Sequence, residues 1–177
     1  MRCSPRLFLL LLATAMPLAA QDTTATPKTP RYLTFGFGPS DKGAIGQLAL
    51  TVASRAGEFT LRWASAADLD LLAPQDEVND LAFLYGVHHR GARSWTGVGG
   101  GPALVWQTDP TCVEPSGFFG CSRYEDSRQT TVGLALHATA GWAPSTVFGL
   151  SASLLGNINS LDPFIGLTVN VNVGRVR

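Results

Sequence analysis

The chain has 177 residues, 13 basic and 13 acidic side chains, a formal net charge of zero and 45% hydrophobic residues. That length is the natural size of one domain. The even charge offers no basic surface for a nucleic-acid partner, and no stretch reaches the roughly 20 apolar residues of a membrane-spanning helix.

Residues 1–20 read as an export signal, with Arg2 and Arg6 before the apolar run Leu7 to Leu12 and a small-residue cleavage site at Leu18-Ala19-Ala20. Cys3 leaves with that segment. Residues 21–30, QDTTATPKTP, form a Thr/Pro-rich flexible lead. Residues 31–177 then form one domain, because a single pattern runs through all of it.

That pattern is strict alternation, the mark of an extended chain whose side chains point to opposite faces. Leu33, Phe35 and Phe37 alternate with Thr34, Gly36 and Gly38, and Leu48, Leu50 and Val52 alternate with Gln47, Ala49 and Thr51. Phe59, Leu61 and Trp63 oppose Thr60, Arg62 and Ala64. Leu81, Phe83, Tyr85 and Val87 oppose Ala82, Leu84, Gly86 and His88. In the glycine-rich run Val98 to Trp106, Leu104 and Trp106 share a phase against Gly99, Gly101 and Ala103; Trp95 is out of phase with Trp106, and Pro102 predicts a bulge or a broken ladder. Val132, Leu134 and Leu136 oppose Gly133, Ala135 and His137, and Phe148, Leu150, Ala152 and Leu154 oppose Gly149, Ser151 and Ser153. The eighth segment, LTVNVNV, sets Leu167, Val169, Val171 and Val173 against Thr168, Asn170 and Asn172.

The minority face is almost wholly Gly, Ala, Ser, Thr or Asn, whereas a water-facing sheet surface carries charge. Small polar residues suit the lumen of an eight-stranded barrel, which is just wide enough for side chains to fill, and the bulky face then meets lipid. The predicted fold is therefore all-β, an eight-stranded antiparallel up-and-down transmembrane β-barrel. With the amino terminus periplasmic, the connections Ser54 to Glu58, His89 to Ser94 and Gly141 to Ser145 are the short periplasmic turns, and Ser65 to Asn79 and Thr108 to Gln129 are long external loops. Arg55, Arg90, Arg93, Arg175 and Arg177 fall at the periplasmic end. Asp68, Asp70, Asp76, Glu77, Asp80, Asp109, Glu114, Glu125, Asp126 and Asp162 fall outside. Trp63, Trp106 and Phe164 are expected at the upper interface and Tyr32, Phe59, Tyr85 and Trp142 at the lower one.

In signal, strand count, alternation and loop asymmetry, residues 31–177 resemble the small eight-stranded outer-membrane barrels of Gram-negative bacteria, of the OmpA/OmpX type. Such barrels usually end in an aromatic residue; this chain ends Val176-Arg177. The resemblance implies outer-membrane localisation after export, contact with outer-membrane lipid and lipopolysaccharide, insertion by the assembly machinery, and a monomer.

Arg62 is expected inside the lumen with Glu58 and Thr60 in phase below it and Gln47, His137, Asn170 and Asn172 elsewhere on the inner wall, forming a polar plug; the alternative is a narrow conduit, for which the many Gly and Ala residues leave room. Cys112 and Cys121, an even pair in an exported protein, are expected to form a disulfide. Phe118 and Phe119, between them, would either contact an extracellular partner or lipopolysaccharide or tuck back onto the barrel mouth. No catalytic, metal or cofactor site is expected. The three histidines share no strand face with a serine and an acid, and the acids from Asp68 to Asp80 lack the spacing of a calcium loop. The expected function is a non-enzymatic outer-membrane barrel with a structural or surface-interaction role through its external loops. The alternatives are a secreted lipocalin-like barrel with the faces inverted, and a lipid A-modifying enzyme.

Overall fold

The computed structural model describes residues 29–68, 76–115 and 121–177. The proposed export signal, Asp70, Phe118 and Phe119 lie outside them.

Eight strands form a closed antiparallel barrel in sequence order: β1 Arg31–Ser40, β2 Gly43–Ala53, β3 Glu58–Ala67, β4 Glu77–Arg90, β5 Ser94–Pro115, β6 Cys121–Trp142, β7 Phe148–Asn159 and β8 Phe164–Arg175. The valine strand at the end of the chain closes the ring on β1, with Val171 opposite Phe35 and Asn172 opposite Thr34. It is thus held on both edges, which is why its alternation is so strict. The pairing runs from Arg31 through Val52, Phe59, Tyr85, Gly100, Leu136, Gly156 and Ile165. It returns at Asp41, whose amide donates to the Ile165 carbonyl, rather than at Arg31. This stagger is the shear that tilts the strands and sets the barrel's width.

The faces divide as the alternation requires. Leu33, Phe35, Leu50, Phe83, Leu136 and Val169 all point outward, Val169 being 71% exposed. Thr34, Thr51, Thr60, Thr168, Asn170 and Asn172 are buried inside. Inside, these polar residues share the interior with an apolar cluster of Ile45, Val78, Leu84, Val105, Leu155 and Phe164, but the band of bulky apolar side chains on the outside is the reverse of a lipocalin-like barrel, so the inverted-face alternative does not hold.

The ring needs both short turns and close strand approaches. At one end the connections are residues 54–57, 91–93 and 143–147, where Ser54 N donates to the Gly57 carbonyl at 2.8 Å and Gly91 N to the Ser94 carbonyl at 2.8 Å. Between β4 and β5 the ladder lapses at Phe83–Leu84 opposite Gly101–Pro102 and resumes in the same register, so Pro102 interrupts the pairing without a bulge. The β5–β6 ladder runs through Pro102 unbroken, so the missing proline donor belongs to the β4 side.

Three expectations need correction. The stretch Thr108 to Gln129 is not a loop but a two-stranded ribbon. β4 leaves β5 at Thr108 and β7 leaves β6 at Gly133, whereas β5 and β6 stay paired to Pro115 and Cys121. The side chains described in it are half-buried or exposed, with Val113 and Tyr124 set among polar neighbours, so no hydrophobic alternation marks it in the sequence. Tyr32 and Phe164 do not belong to the outer aromatic rims, because both are buried inside the barrel at 4% exposure. Asp80, counted among the external acids, is wholly buried in the lumen. Its strand begins at Glu77, earlier than the apolar alternation shows.

Candidate functional site: the polar lumen

The two asparagines of β8 each use both ends of the side-chain amide. Asn170 Oδ1 accepts from Gln47 Nε2 of β2 at 2.5 Å, while its Nδ2 donates to Ser153 Oγ of β7 at 2.8 Å and Ser151 Oγ at 3.2 Å. Asn172 Oδ1 accepts from Thr34 Oγ1 of β1 at 2.8 Å, and its Nδ2 donates to Ser151 Oγ at 2.9 Å. Gln47 Nε2 also donates to Thr168 Oγ1 at 2.8 Å. An amide has an acceptor on one side and donors on the other, so an asparagine on β8 can bridge a donor on the β1–β2 side, Thr34 of β1 for Asn172 and Gln47 of β2 for Asn170, to hydroxyls of β7. This is the physical reason for the Asn between each pair of valines. Gly36 leaves the room it needs, since a Cβ there would stand 1.9 Å from Asn170 Oδ1.

Towards the ribbon end a charged cluster crosses the lumen. Arg62 of β3 donates through Nη2 to Asp80 Oδ2 of β4 at 2.6 Å and through Nη1 to the Leu136 carbonyl of β6 at 3.0 Å. Asn157 of β7 donates to the same Asp80 oxygen at 2.8 Å. Both charges are fully buried. Two charges out of water are tolerable only when paired and hydrogen-bonded, and here the pair ties four strands together.

Towards the short-turn end, Arg90 donates to Glu58 Oε2 at 3.3 Å and to the Val176 carbonyl at 2.7 Å. Its guanidinium lies 5.8 Å from the centre of the Tyr32 ring, a cation–π distance. Arg90 was expected in a turn; it is instead the last residue of β4 and faces inward. Beside it, Trp95 is buried against Tyr32, Ala143 and Val176, which explains its phase. The indole needs bare backbone on the two strands it covers, for a Cβ on Gly141 or Gly149 would meet it at 2.2 or 2.8 Å.

Of the residues expected on the inner wall, Gln47, Arg62, Asn170 and Asn172 therefore join networks, and Arg62 sits apart from the other three. His137 also faces in, but its Nε2 has no partner among the described residues. Asp80 and Asn157 were missed. A lone inward arginine demands a counter-charge, and Asp80 is in phase with Ala82, the residue opposite Arg62 on β4; that parity was the available signal.

Outside, Trp63, Phe59, Tyr85 and Trp142 are exposed. The Phe59 and Tyr85 rings lie 5.0 Å apart, with the Tyr85 hydroxyl donating to the Ala56 carbonyl at 2.8 Å. At the ribbon end, Lys42 pairs with Asp162, joining the β1–β2 turn to the β7–β8 connection. Of Cys112 and Cys121, the backbone places Cys112 opposite Tyr124 and Cys121 opposite Pro115, with register shifts between.

No protein-family model and no curated protein sequence matches the chain. Solved structures do. The amino-terminal β-barrel domain of Pseudomonas aeruginosa OprF matches with a TM-score of 0.53 at 14% identity, over 82% of this chain and 98% of that one. Neisserial surface protein A matches with a TM-score of 0.55 at 14% identity, over 82% of this chain and 95% of that one. A closed eight-stranded antiparallel ring with an apolar exterior and a hydrogen-bonded polar interior, matched over nearly the whole length of both structures, gives this chain the fold of the small outer-membrane β-barrels.

Proposed function

We propose that the protein is a non-enzymatic outer-membrane barrel, delivered by its amino-terminal export signal and inserted as a monomer by the outer-membrane assembly machinery. Its surface role is carried by the β5–β6 ribbon. The observation that supports this best is the band of exposed Leu, Phe and Val on every strand around a closed ring whose interior is filled by its own side chains. Water would meet that band at a steep cost at about 25 cal/mol per Å² of apolar surface, whereas lipid tails meet it freely. The short turns would then face the periplasm, and the ribbon and the acids Asp109, Glu125 and Asp126 would face out.

The ribbon is the part of the chain whose existence the barrel does not explain, because it continues beyond the strands that flank it. Its tip is the natural place for contact with lipopolysaccharide or an extracellular partner, with Phe118 and Phe119 as the apolar anchors. A Cys112–Cys121 disulfide would hold the two strands together where their register shifts. In that reading the lumen plug is structural, since Arg62, Asp80, Asn157 and the β8 asparagines bond across the lumen to one another or to wall residues of other strands.

Fractionation tests the proposal. Full-length protein should appear in washed outer membranes as a band whose gel mobility shifts on boiling, and deletion of residues 110–126 should leave location and shift unchanged. A soluble band with no shift would sink it.

A further inference from the structure

Two small cavities flank His137. One is lined by Thr34, Gln47, Thr51, Ser151, Asn172 and the imidazole. The other is lined by Glu58, Thr60, Gly97, Gly99 and the same imidazole. Each measures about 10 Å³, the space of a single water. Two buried atoms without partners among the described residues, Gln47 Oε1 and His137 Nε2, belong to side chains that line the first cavity. The surrounding wall supplies hydroxyls from Thr34, Thr51, Thr139, Ser151 and Ser153. A polar cavity with several hydrogen-bonding groups and unmet capacity holds water, whereas an apolar one of the same size stays dry.

Towards the short-turn end this region meets a buried aromatic ring. Tyr32 lines the first cavity and stacks at 6.2 Å on Trp95. Trp95 reaches from β5 across Gly141 of β6 and Gly149 of β7 to Val176 beyond β8, and is 3% exposed. Arg90 ties the Val176 carbonyl to the same assembly. On the other side, the Arg62 guanidinium crosses the lumen to the carbonyl of Leu136, the residue next to His137.

We infer that His137 occupies a closed, water-holding chamber, with Trp95 as the stopper that separates it from the short-turn mouth, so that the lumen is a sealed compartment and not a conduit. The ethoxycarbonyl group of diethyl pyrocarbonate probes this directly. The imidazole nitrogen attacks one reagent carbonyl, a proton is lost, and ethyl carbonate leaves and breaks down to carbon dioxide and ethanol. The full-length folded protein is treated in detergent and the labelled peptides are read by mass spectrometry, with exposed His89 as internal reference. His137 should label at least about tenfold more slowly than His89, because access requires local opening. Trp95→Ala should erase most of that protection without altering His89. Val176→Gly, which removes the stopper's other wall without touching β5, should do the same if Trp95→Ala fails the boiling-shift check. Labelling of His137 as fast as His89 in the unaltered protein would overturn the chamber. Continued protection in both variants would overturn the stopper. A crystal structure should place a water within hydrogen-bonding distance of His137 Nε2, and a dry cavity there would overturn the water assignment.

Discussion

Asp80→Ala is the most informative single perturbation of this barrel. It leaves Arg62, which is fully buried, with one carbonyl partner and no counter-charge, and it removes the acceptor of Asn157 as well. Breaking a buried ion pair from one side costs about 3–5 kcal/mol. The retained bond to the Leu136 carbonyl argues for the lower part of that range, so we expect a loss of about 3 kcal/mol. Replacing both partners with leucine removes the uncompensated charge, and the double variant Arg62→Leu/Asp80→Leu should recover most of the loss, to within about 1 kcal/mol of the parent. The assay is urea unfolding in phospholipid vesicles, with folded and unfolded protein separated as unboiled bands on a gel. A loss below about 1 kcal/mol for Asp80→Ala would show that water reaches Arg62 and screens it, refuting the dry crossing of the lumen. A double variant as unstable as the single would show that volume, not charge, is what the site needs.

Other outcomes follow from the same geometry. Leu136→Arg places a charge on the outward face and should cost about 2–4 kcal/mol near mid-bilayer. Lipid-phase probes should label Val132, Leu134 and Leu136 but not Ala135, and equal labelling of Ala135 would contradict the strand phase. Asn170→Leu strips partners from Gln47 and two serines and should cost about 1–3 kcal/mol in the same unfolding assay. Pro102→Ala restores a donor at the lapse in the β4–β5 ladder and should stabilise the barrel by about 0.5–1.5 kcal/mol; a loss would mean that the proline itself shapes that seam. Reducing the proposed Cys112–Cys121 bond should leave the boiling shift intact but make the ribbon easier to cleave with protease.

The parts of this protein legible in its sequence are those where two different media touch one strand. Leu33 through Phe37 and Leu167 through Val173 separate lipid-like from lumen-like side chains residue by residue, and the structure keeps their phase. Where both faces meet the same medium, the signal vanishes. The ribbon strands, residues 109–115 and 121–131, stand clear of their flanking strands, so their largely polar sequence looks like loop although their backbones pair with each other, with register shifts between Cys112 and Pro115. Asp80 failed for a related reason: Glu77-Val78-Asn79-Asp80 reads as a solvated acidic stretch until the demand of a buried Arg62 is considered. Asn157 was hidden by Leu155, an apolar side chain on the inner face that breaks the rule just before it. Trp95 defied the phase because the lumen at that end is closed by an aromatic ring, not by small polar groups.

The ribbon is built from the same two strands that form a side of the wall, with no joint between the projecting and embedded parts. It is a cantilever. At roughly 3.3 Å per residue, the strand from Thr108 to Pro115 reaches about 25 Å past the rim along its own direction, so whatever grips the tip works with a long arm. The load arrives at the root of β5, and the first interruption it meets there is the lapsed pairing beside Pro102. Pulling on the tip would therefore strain the β4–β5 seam before any other, and that seam is where a mechanically loaded barrel of this design should begin to open.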